Sequence, residues 1–313
     1  MNNKLTAQKS LTMPRILGVG RETLSISAGD MELAVDSKGA NLIGIFPKGM
    51  GNILYYDEAN PKRRGIPICM PWFGPLEAGK LNTLYGEKTA AQHGFFRDSE
   101  FVLEVDGDSS IIAHLVSNDS TKKLWPFEFA SKIRFEIDKQ NQVNIYLAYT
   151  NLDKYAVTLA PGLHPYFTVE DPNEVIFNSD AKKANNNKSH YKPVKIADEF
   201  EMVKAVNGTK YWRIKGQPDL HIKGHTFGTT LIRPGFDNRV IFLMYDPQVF
   251  NRLAIWRETE DAGYICIEPG FEQNAINKCK GVMVKPGDTW ETKVMIGLGK
   301  YNPRNDSYTY GLK

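Results

Sequence analysis

Short segments in which apolar and polar residues alternate recur along almost the whole chain. Residues 23–27, 31–35, 101–105, 111–116, 132–137 and 143–149 carry the pattern in the first half. Residues 175–177, 211–214, 220–222, 240–244, 253–256, 264–267 and 289–296 continue it in the second. A period of two, filled with Val, Ile, Tyr, Phe and Thr, belongs to strands with one buried face, because successive side chains of extended chain point to opposite sides. Turn residues separate the segments at Asp106-Gly107, at 139–141 and at Pro286-Gly287. Only residues 196–206 read as weakly helical. Many antiparallel-type strands with few short helices predict an all-β sandwich.

The pattern breaks at the ends and once inside. Residues 1–17 are polar and poorly patterned and read as a frayed tail; residues 301–313 read as a C-terminal tail. Between them, residues 18–300 contain no linker and no short repeat, so one domain is expected. Residues 184–189, with Asn185, Asn186 and Asn187, read as an exposed loop or insertion.

Composition narrows the partners. Among 313 residues, 39 basic ones nearly balance 36 acidic ones, and the densest basic cluster is Lys62-Arg63-Arg64. That excludes a general nucleic-acid surface but permits a local anion site. No apolar run is long enough to cross a bilayer, and residues 1–20 lack a signal-peptide core, so a soluble cytoplasmic protein is expected. Three scattered cysteines, Cys69, Cys266 and Cys279, signal neither a disulfide framework nor a zinc knuckle.

Three separated stretches place a proton-transfer residue beside glycine, proline or aromatic side chains: Gln92-His93-Gly94-Phe95-Phe96-Arg97, Gly162-Leu163-His164-Pro165-Tyr166-Phe167 and Cys266-Ile267-Glu268-Pro269-Gly270. Two imidazoles and a carboxylate brought together could move protons at a sugar without metal or cofactor. Taken singly, a strand-end glutamate such as Glu268 is more often solvated, and a histidine such as His164 is more often structural. Gly94 lets backbone approach His93 closely, and Gln92 adds an amide able to bind hydroxyls. Arg64 and Arg97 offer guanidinium forks suited to phosphate, whereas Arg63 and Lys88 read as solvated surface cations. Glu258, Glu260 and Asp261 read as a solvated acidic loop. His221 and His225 have helical zinc-ligand spacing in a strand-and-turn context that lacks a third ligand. No phosphate loop or dinucleotide fingerprint is present.

With Arg64-Gly65-Ile66-Pro67-Ile68-Cys69-Met70-Pro71-Trp72-Phe73-Gly74-Pro75, the order of these motifs resembles the aldose 1-epimerase (mutarotase) superfamily, nearest its hexose-6-phosphate mutarotase branch. The likeness spans about residues 20–298. It implies a β-supersandwich of galactose mutarotase type and the conversion of α to β anomers of an aldohexose. It also implies His164 as general acid, Glu268 as general base, His93 at the ring oxygen, and Arg64 and Arg97 on a 6-phosphate. The expected partner is a small-molecule sugar or sugar phosphate, with no cofactor, metal, nucleic acid or membrane; nothing fixes an oligomeric state. Two departures stand out. The family's hydroxyl-binding aspartate finds only Asp219, in a divergent region over 182–225, and the Trp-Asn-Pro segment is replaced by Trp256-Arg257-Glu258. Two other functions fit the same residues: epimerisation of unphosphorylated sugar with the arginines as structural ion pairs, and non-catalytic carbohydrate binding.

Overall fold

The computed structural model describes residues 22–206, 209–233, 239–302, 304 and 307–311, so the expected tail over 1–17 lies outside the described residues. Two antiparallel sheets form the body. The larger runs in the order Glu201–Val206, Thr209–Arg213, Ile176–Ser179, Thr229–Arg233, Arg239–Tyr245, Thr289–Asn302, Val143–Asn151, Phe129–Ile137, Ser110–Val116 and Val102–Asp106. The smaller runs Lys192–Val194, Lys183–Asn186, Asp219–Lys223, Arg252–Trp256, Tyr264–Gly270, Gly162–Leu163 and Ile68–Cys69, with Tyr166–Thr168 also paired to Tyr264–Gly270. A three-stranded sheet, Thr23–Ala28, Met31–Asp36 and Asn41–Pro47, precedes them. This is the sheet-rich sandwich that the alternation predicts.

One apolar cluster joins the two sheets. Ile133, Phe135, Ile145, Leu147, Leu243 and Ile296 of the larger sheet share it with Leu220, Ile222, Leu253, Ile255, Ile265 and Ile267 of the smaller. Each buried Ile or Leu contributes about 1.5–3 kcal/mol, so the register of the smaller sheet is strongly specified. The pleat then sends the alternate residues to the opposite face. His221 and Glu268 both stand opposite Ala254, Asp219 and Cys266 opposite Trp256, and Gly270 opposite Arg252. That second face is where the polar side chains collect.

Two glycines hold this face open. Gly162 and Gly270 are cross-strand partners, and a Cβ on either would meet the Phe73 ring at 2.3 Å and 2.4 Å respectively. The ring therefore lies directly on bare backbone, a contact that any larger residue would block.

Three local expectations change. Residues 196–206 split into a short helix, Ile196–Glu199, and a strand, Glu201–Val206, because the latter pairs with Thr209–Arg213. The loop expected over 184–189 instead begins as the strand Lys183–Asn186, held by Asp219–Lys223. The tail expected from residue 301 supplies the strand Ser307–Tyr310, paired to Thr289–Asn302, with the Tyr310 ring over Gly297.

Candidate active site

His164 occupies the turn between Gly162–Leu163 and Tyr166–Thr168, and both strands pair with Tyr264–Gly270, the strand that carries Glu268. One strand thus sets the position of both groups. The His164 N–H donates to the Pro67 carbonyl at 3.0 Å, and its ring stacks on Tyr166 with centroids 4.7 Å apart and planes 14° apart. Its Nε2 lies 3.4 Å from Glu268 Oε1. Trp256 meets the same imidazole edge-on at 5.9 Å.

His93 arrives from a loop with φ of +68°, a left-handed conformation that a β-substituted residue adopts at a cost. A reciprocal pair of bonds holds it: its N–H donates to the Gly74 carbonyl at 3.0 Å, and the Gly74 N–H donates to His93 Nδ1 at 3.1 Å. With Nδ1 accepting, the ring proton belongs on Nε2. Gly94 follows at φ of +69°, where a Cβ would lie 2.0 Å from the Met70 carbonyl oxygen. The His93 ring sits 5.3 Å from His164 and 5.0 Å from Phe73.

Burial sets the electrostatics. Glu268 is 3% exposed and His164 8%. Desolvation, reinforced by Asp219, pushes the Glu268 carboxyl well above its ordinary range, against the opposing pull of Arg252 and Arg97. Desolvation and then Arg97 pull His164 down to about 3. Burial likewise lowers His93, aided by the charge of its neighbours. Burial thus favours the neutral form of both partners in the His164–Glu268 pair.

The arginines divide differently from expectation. Arg64 is 5% exposed; it donates from Nη2 to Asp36 Oδ2 at 2.9 Å and from Nη1 to the Tyr56 hydroxyl at 3.2 Å, so its fork serves a buried ion pair. Arg63, read from sequence as a surface cation, is the one near the site. It makes a two-point contact with Glu258 at 3.1 and 3.0 Å, lies 4.9 Å over the Trp256 ring, and its charge acts on His164 and Tyr166. Arg97 is partly exposed, has only a loose 3.7 Å contact with Asp98, and its charge acts on His93, His164 and Glu268. Gln92 is exposed on the loop beside His93.

Sequence reasoning missed Arg252. It is fully buried, donates from Nη1 to the Tyr191 hydroxyl at 3.0 Å and packs 4.9 Å over Phe73, while Nε and Nη2 have no partner. Its one sequence signal is a charge at an inward position of an apolar strand. Asp219 lies on the same face, accepts from Asn187 at 2.9 Å and stands 3.6 Å from His221 Nε2. His225 lies apart from this cluster, bonded to the Phe250 carbonyl.

A buried carboxyl, two imidazoles and aromatic rings thus gather on one face of a sandwich sheet. The family model described as aldose 1-epimerase matches residues 59–297, and the chain belongs to that family. A Salmonella typhimurium protein named "Putative glucose-6-phosphate 1-epimerase" is 30% identical over 144 residues, 43% of this chain and 44% of that protein, so the match spans less than half of the relative's length. Among solved structures, the Slr1438 protein of Synechocystis superposes with a TM-score of 0.74 at 20% identity, covering 88% of this chain and 95% of that one. A galactose mutarotase-like protein from Lactobacillus casei gives 0.71 at 17% identity, covering 88% and 100%.

The two neighbouring arginines are expected to behave oppositely in urea. Arg64→Met removes the guanidinium from an almost wholly buried ion pair and should cost about 3–5 kcal/mol of stability. Arg63→Ala, which removes a half-exposed pair, should cost about 0–1 kcal/mol. Equal losses in the two denaturation curves would contradict this division.

Proposed function

We propose that this protein interconverts the α and β anomers of an aldohexose, and that its preferred substrate is a hexose 6-phosphate. The buried His164–Glu268 pair, with His164 Nε2 and Glu268 Oε1 3.4 Å apart, carries this reading. Anomerisation needs one group to take the proton of the anomeric hydroxyl while another protonates the ring oxygen. A carboxyl and an imidazole at that range can meet both needs at once.

The reacting form has the proton on His164 Nε2 and a carboxylate on Glu268, which Arg97 and Arg252 favour. Glu268 then accepts the anomeric proton as His164 Nε2 protonates the ring oxygen. The C1 to ring-oxygen bond breaks, and C1 becomes an aldehyde. Rotation about C1–C2 and closure with the roles reversed deliver the other anomer and return the pair to its starting state. His93, neutral and with its proton on Nε2, donates to the ring oxygen. Asp219 accepts from a sugar hydroxyl, which answers the aspartate the sequence left unaligned.

Preference for a phosphate rests on Arg97 and Arg63, two partly exposed guanidiniums beside this pair. Glu258, the present partner of Arg63, is also exposed, and such a pair yields readily to a dianion. Arg64 has no part in this, because its fork is occupied by Asp36. The name carried by the Salmonella relative points the same way.

Polarimetry on glucose and glucose 6-phosphate tests the reading. Glu268→Gln should lose about 10² to 10⁴ in turnover while retaining ligand binding, since an amide accepts no proton. Near-normal turnover would remove Glu268 as the base. Arg97→Ala and Arg63→Ala should each lower kcat/KM for the phosphosugar by about 1.5–3 kcal/mol, roughly ten- to 150-fold, and leave glucose almost unchanged. Equal losses on both sugars would favour a substrate without phosphate.

The pair also fixes a pH response. Burial holds His164 at about 3, far below the ordinary 6.5. With glucose as substrate, so that no phosphate ionises, kcat/KM corrected for spontaneous mutarotation should stay level as pH falls through 6.5 toward 5. A loss following an ordinary imidazole titration would show that the catalytic histidine is exposed and lies elsewhere.

A further inference from the structure

Cys266 has no part in the chemistry above, yet it sits inside the same pair. Cys266 and Glu268 are two residues apart on one extended strand, so both side chains leave the same face, and Tyr166, next but one to His164, stands directly opposite Cys266. One ligating atom from each of His164, Cys266 and Glu268 lies within 4.8 Å of the others, and all three residues are buried. The His164 Nε2 to Glu268 Oε1 separation of 3.4 Å matches the edge of a tetrahedron drawn around bonds of about 2.0–2.2 Å, the range for zinc with nitrogen and oxygen. To complete that geometry around a cation the sulfur must move inward by roughly 1 Å, to the edge set by a zinc–sulfur bond of about 2.3 Å.

We propose that His164, Cys266 and Glu268 form an inhibitory site for a borderline-soft divalent cation, with Zn²⁺ the best fit. The donor set decides the metal. A thiolate and an imidazole select zinc over magnesium or calcium, which take oxygen ligands. Charge also closes: thiolate and carboxylate together neutralise the dication, with the imidazole neutral. Binding therefore releases the proton of the thiol. Water takes the fourth position.

Two observations make this a weak, reversible site and not a resident one. His164 Nδ1 is buried without a hydrogen-bond partner, whereas a histidine built to hold a metal donates its other N–H to a carbonyl or carboxylate. Arg97 and Arg252 also act on Glu268, and their charge opposes a cation. Zinc at this position occupies both the acid and the base, so it blocks mutarotation in competition with sugar. The metal site stands on geometry alone; only its inhibitory effect rests on the proposed reaction.

The test uses the full chain freed of metal. Co²⁺ titration should yield one bound ion per chain with a near-ultraviolet sulfur-to-cobalt charge-transfer band, and Zn²⁺ should displace it. Cys266→Ala and His164→Ala should each abolish the band, and Cys279→Ser, which alters an exposed thiol, should retain it. In polarimetry Zn²⁺ should slow the enzyme, EDTA should restore it, and Cys266→Ala should need about tenfold or more Zn²⁺ for the same inhibition. No thiolate band at saturating Co²⁺, or a band that survives Cys266→Ala and vanishes in Cys279→Ser, would overturn the site. Should Cys266→Ala fail to fold, Cys266→Ser and His164→Ala give the same reading. Full turnover with the site loaded would leave the metal site standing and overturn the catalytic roles of His164 and Glu268, so the two failures are distinguishable.

Discussion

The pleat of one sheet governs this molecule. Asp219–Lys223, Arg252–Trp256 and Tyr264–Gly270 each send Leu or Ile to the core and polar, aromatic or small side chains to the opposite face. A slip of one residue along Tyr264–Gly270 would drive Glu268 into the apolar layer and expel Ile265 and Ile267. The core energy that fixes the fold therefore also fixes the carboxylate. His164 depends on the same strand, since both strands flanking its turn are paired to it. The carboxyl and the imidazole are held in register by the packing on the far side of the sheet.

Burial on that face then determines the proton. A carboxyl and an imidazole removed from water both favour their neutral forms, so burial raises the cost of charging either one. Ionising the pair costs less than ionising either group alone, because the two charges arise together at hydrogen-bonding range. Arg252 and Arg97 lower that cost further on the carboxylate side. The stacked Tyr166 and edge-on Trp256 keep the imidazole orientation fixed while its charge changes.

Most of the sandwich was legible because period-two alternation reports directly on a half-buried strand. It failed where strands are short or polar, as in Lys183–Asn186, and where pairing alone makes a strand, as in Ser307–Tyr310. The three proton-transfer residues were legible because each lies beside Gly, Pro or aromatic residues that restrict the backbone, and the structure gathers all three. Arg63 and Arg64 were not separable, since consecutive loop residues have no period that tells which one turns inward. Arg252 gave almost no signal, because one buried charge in an apolar strand looks like a strand end until its neighbours are known. Asp219 was legible only as a candidate in a divergent region; its place opposite Trp256 comes from cross-strand register.

The contrast between the two arginine pairs bears on how a phosphate could be recognised on the proposed reading. Arg64 and Asp36 are both almost wholly buried, and separating them would strand a charge out of water. That pair can only be structural. Arg63 and Glu258 have side chains 30% and 46% exposed, so solvent compensates either one when they part, and the pair itself is worth about 0–1 kcal/mol. Glu258 thus keeps the Arg63 fork extended over Trp256 at little energetic cost. A dianion arriving there meets a guanidinium already oriented by stacking and gains charge-assisted bonds of about 1.5–3 kcal/mol while displacing a weaker partner. Selectivity for a charged sugar would then come from an exposed ion pair made to be exchanged, next to a buried one that cannot be.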